Sequence, residues 1–334
     1  MEQPTRRVRS ELPSGDPTLL NKVAWSRRWI DPPASMDFAK TARAAALKGS
    51  GRRSRMQHGL ALCTLAWHAK WRGSLDEAMG YCLSAESYLP ERDHPEPRAR
   101  VYAVLGSVHF ARNRFDLANC ALDRGFWLLR DFPDEDVGDA MVDLLLTRAI
   151  VQRHTGERAR AGITLGRAQE LSNAELCAGV EYCTSMWLLA DGDADAARSR
   201  GGTALESARE MNNRLIMPYL LGLLGACDIK LNRLEDAMQS LEKGMKIAKE
   251  DGDQRVQCFL NRHFAKLEMN RGNLDLAREH LEAAAKMAKS LNHAFERKRI
   301  ALQLADLFEL SKDYKKAVHQ HNLAWRLQNE TRMS

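Results

Sequence analysis

The sequence predicts an all-α solenoid of helix hairpins that repeat about every 40 residues and stack on one another. Three observations predict it. Eight of the ten prolines fall in the first 97 residues, leaving only Pro133 and Pro218 to interrupt the rest. Apolar residues recur at helical spacing, as in Leu274, Ala277, Leu281 and Ala284, and the alternating β-branched runs of strands are missing. Short polar breaks recur at a nearly fixed distance. They are Gly73–Ala78, Asn113–Ala118, Gly156–Ala161, Gly192–Ala197, Asn232–Ala237, Gly272–Ala277 and Lys312–Ala317, with closing alanines 40, 43, 36, 40, 40 and 40 residues apart.

Taken in order, residues 1–16 read as a flexible basic arm carrying Arg6, Arg7 and Arg9. Residues 17–56 read as a degenerate hairpin, with Pro32-Pro33 as its break, followed by a basic loop that includes Arg52, Arg53 and Arg55. Residues 57–331 read as seven regular hairpins. In each break the Gly or Asn supplies the left-handed residue that ends one helix, and the alanine five positions on starts the contact face of the next. Twelve residues before the closing alanines stand Ala66, Gly106, Ala149, Ser185, Gly225, Ala265 and Ala305. Seven residues after them stand Ala85, Gly125, Ala168, Ala204, Gly244, Ala284 and Ala324. Small residues at one level of both helices let the pair approach closely.

Composition narrows the function classes. The 334 residues are 44% hydrophobic and 28% charged, which excludes a disordered or collagen-like chain. A net charge of +6 is spread along the chain, without the concentrated basic face of a nucleic-acid binder. The N-terminus lacks an apolar signal-peptide core and no window reads as a membrane span, so a cytoplasmic protein is expected. Seven scattered cysteines with no C-x-x-C pair read as small buried apolar residues.

No phosphate-binding glycine loop, zinc-binding H-E-x-x-H or nucleophile elbow is present, so an enzyme is not expected and no cofactor is implied. Asp191–Asp195 suggests a calcium loop only superficially, because Ala196 and Gly202 stand where Gly and Glu are needed. His319 and His321 lie two apart, about 200° around a helix, and cannot chelate one ion together. No metal is expected.

The turn residues and the three small-residue columns resemble the tetratricopeptide repeat, with longer units than the family's usual ones. That resemblance implies a right-handed superhelix whose concave groove is lined by the first helix of each hairpin. The segment Leu20–Pro33 is similar to the opening helix of the repeat arrays that precede GGDEF diguanylate cyclase domains in bacteria. Asp313–Leu327 is similar to the helix leading from such arrays into a signalling coil. No GGDEF motif follows, so the chain is expected to be either a free-standing sensor module or a piece of a longer protein.

If the chain follows the family's geometry, the groove columns lie 18, 15, 11 and 8 residues before each closing alanine. They hold Leu60, Trp67 and Lys70; Arg100, Ser107 and Phe110; Asp143 and Arg153; Tyr182, Met186 and Leu189; and Tyr219. They continue with Phe259, Arg262, Lys266 and Met269, then Arg299, Asp306 and Glu309. Aromatic, Met and basic residues in that mixture suit a peptide-binding surface, although the apolar ones equally suit a core. Phe259, Arg262, Lys266 and Met269 share one helical face and would suit an amphipathic or acidic segment. Trp67, Lys70 and Trp71 form a second cluster. Tyr314, Val318 and Trp325 on the last helix would remain on an outer face, available to a second copy or a continuing coil.

The expected function is therefore a non-catalytic protein-protein interaction module for signal transduction. It would bind a peptide or protein segment in the groove, with no membrane and with nucleic acid disfavoured. The alternative is a scaffold that homo-oligomerises through its helices.

Overall fold

In the computed structural model, residues 15–91 and 94–329 are described; Arg6, Arg7 and Arg9 lie outside them. The described residues form sixteen helices and no strand. In chain order they are α1 (Pro17–Ser26), α2 (Pro32–Lys48), α3 (Gly51–Arg72), α4 (Leu75–Glu86), α5 (Glu96–Ala111), α6 (Phe115–Leu129), α7 (Asp134–His154) and α8 (Arg158–Leu171). There follow α9 (Ala174–Ala190), α10 (Ala194–Glu210), α11 (Met217–Lys230), α12 (Leu234–Glu250), α13 (Gln254–Arg271), α14 (Leu274–Ser290), α15 (Ala294–Leu310) and α16 (Tyr314–Asn329). Consecutive pairs form eight antiparallel hairpins, and each hairpin packs on the next in a right-handed superhelix.

The breaks work as their residues dictate. Gly73, Asn113, Gly156, Gly192, Asn232, Gly272 and Lys312, the first residue of each, all have positive φ. Gly and Asn enter that region at little cost, whereas Lys312 at φ 59° bears a strain of about 1 kcal/mol. Six closing alanines are wholly buried and Ala317 is nearly so. The glycines in the small columns are there for space. A Cβ on Gly106 would lie 2.9 Å from Leu122, and one on Gly225 would lie 2.8 Å from Leu241, the leucine four residues after the closing alanine in each hairpin.

Two expectations are corrected. The basic stretch Arg52–Arg55 is not a loop: Gly51 already starts α3, so these arginines occupy its first turn. The cysteines are not uniformly buried, because Cys120 is exposed on α6 and Cys177 is half-buried on α9.

The superhelix comes around onto itself. Besides neighbouring hairpins, α3 touches α13 and α5 touches α15, pairs five hairpins apart. The C-terminal ends of first-turn helices abut the N-terminal ends of second-turn helices. Arg255 at the start of α13 donates to the Lys70 and Trp71 carbonyls (3.1 and 3.5 Å), which end α3. A cation at a helix C-terminus is favoured by the helix dipole and by the free carbonyls there. Phe110 on α5 meets Phe295 on α15 at 4.8 Å, and buried Asn113 donates to the Leu327 carbonyl of α16 (3.0 Å).

Candidate functional site

The odd-numbered helices line the inside of the superhelix, and their side chains divide into two regions. In the N-terminal region four tryptophans pack together. Trp29 lies 4.7 Å from Trp67 and 5.4 Å from Trp71, and Trp25 lies 6.3 Å from Trp67, mostly edge to face. The Arg28 and Arg100 guanidiniums sit 4.1 and 4.0 Å from the Trp25 ring. Arg28, almost fully buried, pairs with Asp139 at 3.2 Å, and Arg100 pairs with Glu96. Lys70 lies 4.4 Å from the Trp71 ring. Burial pushes its ammonium down to about 8 despite the opposing pull of Asp143, whose own carboxyl burial pushes up. Arg28 and Arg100 are thus each paired with a carboxylate, and the tryptophans pack against them, with a cavity of about 650 Å³ opening beside Trp25, Glu96 and Arg100.

An aromatic chain joins the two regions. Trp71 meets Tyr219 at 5.9 Å, and Tyr219 meets Tyr182 at 5.9 Å and Phe259 at 5.3 Å. A parallel bridge runs from Phe110 through His154 to Phe295.

The C-terminal region holds a cavity of about 550 Å³ between α9, α11, α13 and α15. Its apolar floor is Met186, Leu189, Leu223, Ala226 and Phe259, and its cationic wall is Lys230, Arg262, Lys266 and Arg299. Arg262 is 4% exposed, bonded to Gln303 (2.9 Å) and paired with Glu296 (3.0 Å). Arg299 shares the same carboxylate at 3.6 Å. Burial alone would raise the Glu296 carboxyl, but Arg262, Arg299, His293 and Arg255 together hold it at about 2. One carboxylate therefore pairs with both guanidiniums of the cavity wall. Burial, with Lys230 and Arg262 nearby, lowers the Lys266 ammonium. Burial, with Arg262, Arg299 and Lys266 nearby, keeps His263 neutral at pH 7.

Of the residues singled out from the sequence, Met186, Leu189, Phe259, Arg262, Lys266 and Arg299 meet at this cavity, and Tyr182 and Tyr219 lie behind it. Trp67, Lys70 and Arg100 belong to the N-terminal cluster, and Phe110 to the bridge. Arg153 is spent on structure: it lies 4.9 Å from the Trp187 ring and pairs with Asp191 at 2.7 Å. Met269 does not join its three helix mates. It packs instead on the core formed by Leu281, Ala284, Ile300 and Leu304. Tyr314, Val318 and Trp325 are exposed on α16.

Sequence reasoning missed Arg28, Arg255 and Glu296. The last two stand in the first turns of their helices, ahead of the four columns read as groove-facing, because the inner helices here are longer than the pattern assumed. The signal available for them was helical spacing, since Arg255 stands seven residues before Arg262 and Glu296 three before Arg299.

Among the described residues no group of three His, Cys, Asp or Glu side chains could hold a metal ion, and no helix is long and apolar enough to cross a membrane. The Asp191–Asp195 turn uses its carboxylates locally, Asp193 accepting from the Ala196 amide (3.0 Å) and Asp191 pairing with Arg153.

No protein-family model and no curated protein matches the sequence. Solved structures do match. A Rap protein complexed with competence and sporulation factor superposes with a TM-score of 0.73 at 14% identity, covering 95% of this chain and 86% of that one. The Rap conjugation gene regulator of plasmid pLS20, in complex with the Phr* peptide, gives 0.65 at 10% identity, covering 95% and 96%. The apo quorum sensor NprR from B. thuringiensis gives 0.57 at 16%, covering 94% and 86%. At these identities the likeness is one of fold, and the fold this chain shares with them is a tetratricopeptide-type helical-repeat superhelix.

Proposed function

We propose that this chain is a non-catalytic regulatory module that binds a peptide or protein segment on the inner face of its superhelix and hands the bound state to a partner or output domain. The observation that carries this reading is the inner cavity of about 550 Å³, whose apolar floor stands beside two arginines that share one carboxylate and two lysines with no ion pair among the described residues. A packed core would not leave both together. Support also comes from the Rap structures, which share the fold and hold a peptide factor. An outlet toward a cyclase-type domain, which the terminal segments suggest, belongs to the same proposal.

The test is affinity selection from a randomised hexapeptide pool on the immobilised chain, beside a Met186→Arg, Leu189→Arg variant that fills the cavity. Both side chains are half-buried at the cavity wall, so the exchange leaves the helix core in place. Enrichment by the native chain that falls at least about tenfold in the variant is expected. Equal enrichment by both would sink the reading.

A second reading, self-association, is favoured by one observation. Tyr314, Val318 and Trp325 are 64%, 58% and 66% exposed at i, i+4 and i+11 on one face of α16, with exposed His321 between the last two. Sedimentation of the native chain against Trp325→Glu decides it: a dimer lost in the variant supports it, and two monomers reject it.

A further inference from the structure

We propose that the cavity between α9, α11, α13 and α15 is a carboxylate subsite, taking an acidic group carried on an apolar body. The inference rests on the peptide-binding reading and adds the chemistry of the part held there.

The argument begins with charge. Lys230, Arg262, Lys266 and Arg299 border one cavity. Like charges this close repel, and the repulsion has to be offset by counter-charge or by water. Glu296 meets Arg262 and Arg299, each oxygen facing one guanidinium. It leaves nothing for the lysines: among the described residues no ion pair holds the Lys266 or the Lys230 ammonium, and the acidic group felt at Lys266 is Asp306, which is exposed on α15. The opposite rim carries Asp193 and Asp195. Both are exposed, so water screens them, and Asp193 is already occupied in capping α10. The interior of the cavity therefore stays cationic, and half-buried Lys266 is its uncompensated donor.

The floor supplies the second part of the chemistry. Met186, Leu189, Leu223 and Phe259 present apolar surface immediately beside these cations. A free inorganic anion would gain nothing from that floor. A group whose carboxylate leaves directly from an apolar body would use both, with charge-assisted hydrogen bonds from Lys266 and Arg299 and burial of its side chain on Met186 and Phe259. Two sources fit, the C-terminal carboxylate of a peptide and an Asp or Glu side chain within one.

Three synthetic hexapeptide pools separate them. All are randomised over the apolar and neutral residues: the first ends in a free carboxylate, the second in a carboxamide, and the third in a carboxamide with one internal Asp or Glu. Each is passed over the immobilised full chain, over Lys266→Gln, Arg299→Gln, and over Lys230→Glu, and retained peptides are quantified by mass spectrometry. The Lys230 side chain is exposed, so that exchange does not threaten folding. The expected result is retention from the first or the third pool about tenfold or more above the second, falling to the level of the second in the double variant and by a smaller factor in Lys230→Glu. Which pool is retained names the source of the carboxylate. Equal retention of all three pools, or retention from the acidic pools that survives both variants, overturns the carboxylate subsite while leaving peptide binding intact. Retention of none of the pools overturns both.

Discussion

The N-terminal and C-terminal regions of the inner face treat charge differently. In the first, Arg28 and Arg100 pair with Asp139 and Glu96, Asp143 acts on Lys70 through space, and four tryptophans pack together beside them. In the second, Glu296 is shared by Arg262 and Arg299, the lysines have no ion pair among the described residues, and Met and Leu side chains line a cavity. The difference teaches that a repeat array can pair its charges along one stretch of its inner wall and concentrate one sign along another. The first stretch is stiffened by edge-to-face rings and by guanidiniums that each have a carboxylate partner. The second stretch, lined by flexible apolar residues, keeps a cavity beside its cations.

The strongest way to break the comparison is Trp67→Ala. Its indole is 1% exposed and touches three other tryptophans, so truncation should cost about 4 kcal/mol by denaturant unfolding. A loss below about 1 kcal/mol would mean that the tryptophan cluster is not the support claimed for it.

Glu296→Gln probes the other region. Removing the one carboxylate leaves buried Arg262 uncompensated, at a cost of about 3 kcal/mol near neutral pH. The sign of the pH dependence follows from the carboxyl's position at about 2, below its ordinary 4.5. The unfolded state binds the proton first as pH falls. The contribution is therefore complete above about pH 4.5 and is lost on going down toward pH 2. Thermal melts of the variant should lack that part of the acid slope; an identical slope in both proteins would refute the assignment.

How much of this was legible in the sequence depends on what each feature rests on. The hairpin register was legible in full, because Gly73, Asn113 and their counterparts are backbone requirements and the closing alanines are steric ones, both local properties. The cavity was half legible: Phe259, Arg262 and Lys266 follow from helical spacing, but Met269 on the same apparent face turns to the core. Three and ten residues on are not one direction when the helix sits between two layers. The partition of charge was not legible, since Glu296 meets Arg262 from a neighbouring hairpin and Asp139 meets Arg28 across 111 residues. Nor was the meeting of Trp71 with Tyr219, which needs the superhelical pitch.

Lys70 gives a smaller effect. Its ammonium is held at about 8 by burial, below the ordinary 10.5, so between these values the unfolded chain binds a proton that the folded chain does not. Stability should rise with pH across that window relative to Lys70→Met, by at most about 1.4 kcal/mol per pH unit. Parallel pH curves for the two proteins would show that burial does not depress the Lys70 ammonium.

Asn113→Gly should cost least, about 1 kcal/mol. The glycine keeps the left-handed turn at φ 58° while removing the bond to the Leu327 carbonyl. Hydrogen exchange should then quicken in α16 and stay unchanged in the tryptophan cluster; the reverse pattern would break the division between the two regions.

The return of the superhelix onto itself changes how the chain comes apart. In an open repeat array each unit knows only its neighbours, and the ends fray independently. Here Arg255 holds the carbonyl of Lys70 across 185 residues of sequence. Losing the last two hairpins strips the end of α3 of its cap, so damage at one terminus is felt near the other. Melting should be a single concerted event rather than progressive unzipping, and folding should be slow for so helical a chain, because its closing contacts join the most distant parts of the sequence.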